Sequence, residues 1–413
     1  MGHLTPRNYL TLQKRMDQFI PGAPASDQLY EILKILFSDE EAKLCSLMPL
    51  NFFSLAEISR IWKKPESESA SLLLNLADKG LVLEFKEKGD NKYFLAPPIL
   101  GFFEFSLMRL DGKFDRKKLS ELYYKYINLD DKFAKSFFSN PQVTRILPQE
   151  ASLEELTTEV LPYEKASDAI ERARCITVGT CFCRHKMEHM GMACDNPQDV
   201  CLTFNGFAEY VAKHGIARVI TKQEARQILD LCVARGLAQI ADNTKDERAI
   251  ICNCCGCCCD LLLGYKRFGN SLVISPSRFI ARTDPRVCAG CGACAKRCPA
   301  GVISVINKKS TVNEKLCLGC GVCVRFCPTG ALKMDLRSEA VFTPQDSFER
   351  VYLSAVRNNK LGNFIFDDQS SLFHYLFRNL FNAAIRFPLI KIILLNRSFY
   401  FFIRKMLDRA TAK

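Results

Sequence analysis

A spacing of four cysteines, written twice, limits what this chain can become more than any other feature. The first copy runs Cys288, Cys291, Cys294 and Cys298, closed by Pro299. The second runs Cys317, Cys320, Cys323 and Cys327, closed by Pro328. It is the clear internal repeat of the chain. Three thiols with two residues between neighbours let one tight loop wrap three corners of a compact inorganic core. Gly290, Gly292, Gly319 and Gly321 let the backbone approach that core without side-chain clash. The prolines remove a donor and fix the turn. Four thiolates suit zinc as well as sulfide-bridged iron. Two complete copies, each ending in Cys-Pro, favour iron.

This arrangement resembles the bacterial-type two-[4Fe–4S] ferredoxin, over residues 288–328, set here within a much longer chain. The resemblance implies crossed ligation, because the fourth cysteine of each copy serves the other cluster. By that implication one cluster takes Cys288, Cys291, Cys294 and Cys327, and the other takes Cys317, Cys320, Cys323 and Cys298. It further implies electron transfer. A unit this short also needs its metal in order to fold. Lys and Arg residues surround the repeat (Arg282, Arg286, Lys296, Arg297, Lys308, Lys309, Lys315 and Arg325), as a solvated surface or as a dock for an acidic redox partner protein.

Ten further cysteines fall in two groups upstream. Cys181, Cys183, Cys194 and Cys201 form one group; Cys252, Cys254, Cys255, Cys257, Cys258 and Cys259 form the other. Free thiols so crowded would oxidise or cross-link unless bound to metal. Each group follows an expected strand, so both are expected at one edge of one sheet, converging on one site. Three readings stay open: an additional iron–sulfur cluster, zinc or another structural metal, and redox-active disulfides. Cys254-Cys255-Gly256 resembles the CCG domains of heterodisulfide-reductase-type proteins, where adjacent cysteines hold a non-cubane cluster. Those domains carry a later Cys-x2-Cys and a second copy, whereas Cys257 to Cys259 follow at once here. The wider block resembles iron–sulfur proteins of anaerobes, which implies redox work and no particular substrate. Arg184, His185, His189 and Asp195 are the polar candidates beside these thiols. Arg184 and His185 are expected to hydrogen-bond sulfur or backbone, with metal ligation or proton relay by His185 as the alternative.

The expected fold is an α+β multidomain chain. Residues 1–147 read as a winged-helix-like and helical domain. Ser38 with Glu41 and Ser54 with Glu57 are capping boxes, and a third helix runs from Pro65 to Gly80. A hairpin with its turn at Gly89-Asp90-Asn91 follows, and the aromatic-rich stretch 101–147 reads as helices. Residues 148–281 form a cysteine-rich α/β domain, 282–336 the dicluster 4Fe-4S ferredoxin domain, and 337–413 a helical basic tail.

The 413 residues carry a net charge of +12. From Ser371 onward there are eight Lys/Arg (Arg378, Arg386, Lys391, Arg397, Arg404, Lys405, Arg409 and Lys413) against the single acid Asp408. The tail is apolar as well as basic, and cations interrupt it before it reaches the roughly 20 residues of a spanning helix. It is expected to pack on its own protein, lie on an anionic membrane surface, or meet a partner subunit. The candidate recognition helix carries Glu66, Glu68 and Asp78, which argues against nucleic acid as a partner. No G-x-G-x-x-G follows a strand and no G-x4-G-K-[ST] occurs, so no flavin or ATP site is expected in this chain. Residues 1–10 lack the apolar core of a secretion signal, and thiols clustered for metal fit a reducing compartment. The expectation is a cytoplasmic protein, with the tail as the element that could hold it at the inner face of a membrane. Three function classes follow: an electron-transfer protein, a reductase whose chemistry occurs at the middle cysteines, and a redox-sensing winged-helix regulator. No residue is assigned as a catalytic acid or base.

Overall fold

The computed structural model describes residues 5–405, apart from 88, 138–139, 247, 270–272, 397 and 402. Arg397, Asp408, Arg409 and Lys413 of the basic tail therefore lie outside the described residues. The chain is a mixed α/β, multidomain protein.

Both capping boxes form, Ser38 with Glu41 and Ser54 with Glu57, each satisfying two otherwise orphaned N–H groups. They open the helices Asp39–Cys45 and Leu55–Trp62. The next helix, Glu66–Asp78, starts directly after Pro65 and ends before Gly80, which has a φ of +79°. Strands β1 (Val82–Glu87) and β2 (Asp90–Leu95) pair as a hairpin, and Phe53 bridges to Tyr93 beside it. The stretch after residue 100 is helical only as far as residue 136. Thr144-Arg-Ile-Leu is instead strand β3 (Thr144–Leu147), all four residues buried, because its backbone pairs with a strand on either side.

The central element is a seven-stranded sheet. Its members are β3 and then β4 (Ile176–Thr180), β5 (Asp199–Phe204), β6 (Arg218–Val219), β7 (Ala238–Asp242), β8 (Ile250–Cys254) and β9 (Ile274–Ser275). They lie in the order β6-β4-β5-β8-β7-β3-β9, antiparallel throughout except for β3 with β9. One face packs an aliphatic core that includes Leu202, Ile251 and Leu229. The N-terminal helices and hairpin dock on the same domain through Phe85 against Phe207, at 5.2 Å between ring centres, and Tyr123 against Phe182, at 5.6 Å. Tyr210 donates its hydroxyl to Val82 O at 2.9 Å across that junction.

The cysteine repeat is framed by two short sheets. Strands β10 (Phe279–Thr283) and β13 (Leu332–Leu336) pair around it, and β11 (Ile303–Ile306) pairs with β12 (Lys309–Val312) inside it. Each metal-type loop leads into one short helix, Ala293–Arg297 and Val322–Arg325. The C-terminal helices return to the start of the chain, where Lys360 donates to Asp17 O and Phe19 O at 2.6 and 2.9 Å.

One polar contact is buried without access to water. Arg145 and Glu164 are both fully buried at 3.5 Å, and Arg145 also donates to Thr343 Oγ1 at 2.9 Å. Burial holds the Arg145 guanidinium down to about 10. Removing one partner of a buried pair leaves an uncompensated charge, which typically costs about 3–5 kcal/mol. Glu164→Ala is therefore expected to lower the unfolding free energy, read from denaturant titration of the anaerobic protein, by an amount in that range. A loss below about 1 kcal/mol, the value of an exposed pair, would contradict this reading.

Candidate metal centres

The cysteine repeat forms two cavities. One, of about 300 Å³, is lined by Cys288, Cys291, Cys294 and Cys327. The other, of about 320 Å³, is lined by Cys298, Cys317, Cys320 and Cys323. Each cavity thus draws three thiols from one copy of the repeat and the fourth from the other.

Glycine is required in both loops by close backbone approach. A Cβ on Gly290 would lie 2.3 Å from Lys308 O, and one on Gly319 would lie 2.1 Å from Phe279 O. Both have φ near +70°, where L side chains are strained. The loops are further held by residues beyond the two cysteine motifs. Lys309 Nζ donates to Cys288 O at 2.8 Å, Ser277 Oγ to Gly319 O at 2.7 Å, and Gln149 N to Cys320 O at 2.9 Å.

The two cavities differ in setting. At the first, Cys291 is exposed. The Ser310 N–H, 3.4 Å from the Cys288 sulfur, draws that thiol below its ordinary range. Cys327 also lies low: burial opposes this, but donors from Leu332 and Thr329 outweigh it. At the second, Cys317, Cys320 and Cys323 are all buried, and burial pushes the Cys320 and Cys323 thiols up. The first cavity is the outer one and the second the inner one.

The middle-domain cysteines occupy one end of the central sheet. Strands β4 and β8 run in the same direction on either side of β5. Their C-terminal ends, which lead into Cys181 and Cys255, therefore meet the N-terminal end of β5, which carries Cys201. The ten thiols do not gather at one point; they form two groups. Cys194, Cys255, Cys257 and Cys258 have their sulfurs all within 4.8 Å of one another. The other six form a chain. Cys183 contacts Cys259, Cys259 contacts Cys254, Cys254 contacts Cys252, and Cys252 contacts Cys201. Cys181 lies beside Cys252 and Cys259. Cys254 and Cys255, adjacent in the chain, belong to different groups. Cys254 ends β8, whereas Cys255 begins the following loop.

In each group some thiols are drawn toward the thiolate form that ligates metal, while Cys181, Cys183, Cys201, Cys254, Cys257 and Cys258 are pushed up by burial and by donating to their neighbours. Cys252 lies well below its ordinary range because Cys201 and Cys254 donate to it. Cys259 falls to about 5 because Cys183 and Cys254 donate to it. In the compact group, Cys255 falls to about 4, first through the Cys258 thiol and then through Arg184.

Arg184 stands between the groups, 1% exposed. Its Nη1 donates to Asn253 O at 3.0 Å and to the Cys255 sulfur at 3.8 Å. Its buried Nε and Nη2 have no acceptor among the described residues. A buried cation aimed among thiols with donors to spare fits a site built around a negatively charged inorganic group. His185 faces away from sulfur: its Nδ1 bonds Leu107 O at 2.6 Å, and its Nε2 lies 3.2 Å from His189 Nε2. Asp195 is exposed. Three residues with no sequence signal join the sites. Burial pushes the Glu104 carboxyl up to about 7, with Cys252 adding to it. Asn196 Nδ2 donates to the Cys194 sulfur at 3.3 Å. Arg337 Nη2 donates to Cys317 O.

A family model, the 4Fe-4S dicluster domain, matches residues 287–332. No curated protein and no solved structure matches the chain. The repeat is thus an iron–sulfur, ferredoxin-like segment within a longer chain. Gly319→Ala is expected to press its new Cβ into Phe279 O and Ser277 Oγ and to lower iron and acid-labile sulfide per chain. Iron at the wild-type level in this variant would show that the backbone approach is not needed.

Proposed function

We propose that this chain is an electron-transfer protein, with [4Fe–4S] clusters in both ferredoxin cavities and a further iron–sulfur centre among the six chained thiols of the middle domain. One observation carries the reading. Cys254 and Cys259 share an apolar core with Cys320 and Leu318, and Cys252 and Cys298 pack against that same core. The inner cavity and the six-thiol group are thus joined through packed protein. The loop bearing Cys255 meets the ferredoxin segment just after Cys298, where a Cβ on Gly256 would lie 2.6 Å from Pro299 O. Iron–sulfur clusters supply one-electron chemistry at potentials set by charge, hydrogen bonds to sulfur and exposure.

The residues of the chain give the route a direction in space. Exposed Cys291 marks the outer cavity as the place where a redox partner protein docks. The buried thiols of the inner cavity face the middle domain. Burial and the apolar surroundings keep water from the inner sites and tune them differently from the outer one. The setting is an anaerobic oxidoreductase system in which flavin, nucleotide or substrate sits on another subunit. The four units expected from the sequence, 1–147, 148–281, 282–336 and 337–413, are the working division of this reading, with strand β3 (Thr144–Leu147) passing to the second unit because it pairs with β7 and β9. The three helices and hairpin of the first are a winged-helix-like docking platform. Asp78 on the candidate recognition helix faces His214 Nδ1 at 2.7 Å, a contact of that helix with its own protein that supports a docking or structural role.

The tail completes the reading. Among the described residues no helix is long and apolar enough to cross a membrane. The helices Leu372–Ala384 and Pro388–Leu395 nevertheless expose Leu376, Leu380, Leu389 and Ile392, each more than half accessible. Arg386 and Lys405 are exposed beside them. Apolar side chains next to cations match an anionic lipid surface, with the apolar groups below the headgroups and the cations among them. The chain would then work as a peripheral protein on the cytoplasmic face.

Two measurements test these statements. Anaerobically purified protein is expected to hold more than about eight iron atoms per chain, with matching sulfide, eight being the content of two cubes. Cys254→Ser should remove the sulfide-matched excess and leave about eight sulfide-matched iron atoms. A wild-type content of about eight, unchanged in Cys254→Ser, would remove the middle-domain centre. In flotation with vesicles containing anionic lipid, the protein should rise with the vesicles, and Leu389→Glu with Ile392→Glu should leave it at the bottom. A wild-type protein that stays at the bottom would end the membrane reading.

A further inference from the structure

We propose that Cys194, Cys255, Cys257 and Cys258 hold a single tetrahedral metal ion, zinc or iron, at a site separate from the six chained thiols. The argument is geometric and does not depend on the electron-transfer reading. A divalent ion bound to four thiolates at about 2.3 Å places neighbouring sulfurs about 3.8 Å apart, the edge of a tetrahedron of that size. Cys194 to Cys255 is 3.6 Å, Cys257 to Cys258 is 3.7 Å and Cys194 to Cys258 is 3.8 Å. The remaining three pairs, Cys257 with Cys194, Cys257 with Cys255 and Cys258 with Cys255, each lie within 4.8 Å. All six edges of a tetrahedron are therefore present.

Among the described residues this is the one group of three or more ligand atoms that closes so tightly. The ferredoxin thiols stand farther apart around cavities of about 300 Å³, and the six chained thiols are strung out rather than closed. A compact tetrahedron has room for one ion and none for bridging sulfide. The strung-out set spans more than one ion. The surroundings differ too: Cys255 and Cys258 belong to a small core with Met187, Val200 and Leu237, apart from the core that joins Cys254 to the ferredoxin.

Four thiolates and a divalent ion carry two net negative charges, which need donors. Arg184 reaches Cys255, and Asn196 reaches Cys194. The backbone N–H groups of Cys258 and Cys194 donate to the sulfurs of Cys255 and Cys258. These donors orient the ligands and spread their charge. The ion would tie the Cys255–Cys258 loop, which abuts Pro299, to the segment around Cys194 and so fix the middle domain against the ferredoxin.

The test is metal and acid-labile sulfide per chain in the full-length, anaerobically purified protein. About one ion in excess of the sulfide-matched iron is expected. Zinc appears as zinc in the analysis; iron appears as a mononuclear ferric signal after oxidation. Cys257→Ser, at an exposed position, and Cys194→Ser should each lose that ion with sulfide unchanged. Protein stripped of the ion should take up about one cobalt(II) per chain with the absorption of a tetrahedral thiolate complex. Sulfide lost together with metal in Cys257→Ser, metal unchanged in both variants, or cobalt without tetrahedral thiolate bands would overturn the proposal. Failure of the middle-domain iron–sulfur centre would appear instead in Cys254→Ser.

Discussion

Thiolate charge is the constraint on which the rest of this structure depends. Ten cysteines crowd one end of a sheet, and several are held as thiolates by their neighbours. Without cations, sulfurs of like charge at such short range would repel one another and resist burial. The chain itself supplies one cation at the centre, Arg184, and leaves two of its donors unpartnered. That is too little for the three sulfurs of Cys252, Cys255 and Cys259 that are drawn toward thiolate. Metal ions are the natural remaining source of positive charge, and their binding energy would then be folding energy for the loops that carry the ligands.

The architecture serves that requirement. The sheet brings two strand ends and one strand start together, so ligands far apart in the chain meet without long loops. The N-terminal unit covers one side of this region, where Leu107 O receives the His185 ring and Glu104 approaches Cys252. The ferredoxin segment covers another, with Ser152 and Ser277 holding its inner loop by hydrogen bonds to Gly321 O and Gly319 O. The inner cavity is thus enclosed by the middle domain while the outer one keeps Cys291 at the surface. Asymmetry between two near-identical sequence copies therefore arises from what each is packed against.

Much of this was legible in the sequence where the signal was local. The capping boxes at Ser38 and Ser54, the helix between Pro65 and Gly80, and the cysteine repeat each depend on residues a few positions apart. Strand β3 was not legible: four residues behind a run of aromatic helices carry too little periodicity, and its identity comes from pairing with β7. The division of the middle cysteines was equally hidden. Cys254 and Cys255 look alike in sequence, and only the end of β8 between them sends their sulfurs to different groups. Glu104, Asn196 and Arg337 reach the sites through tertiary folding. His185 has a ligand's chemistry but spends one ring nitrogen on a backbone carbonyl and faces His189 with the other.

The central claim is that iron–sulfur chemistry continues from the ferredoxin segment into the middle domain. The most direct measurement is anomalous X-ray scattering at the iron absorption edge from crystals grown without oxygen. The account predicts iron in both ferredoxin cavities and again among Cys181, Cys183, Cys201, Cys252, Cys254 and Cys259. Iron confined to the two ferredoxin cavities would contradict it.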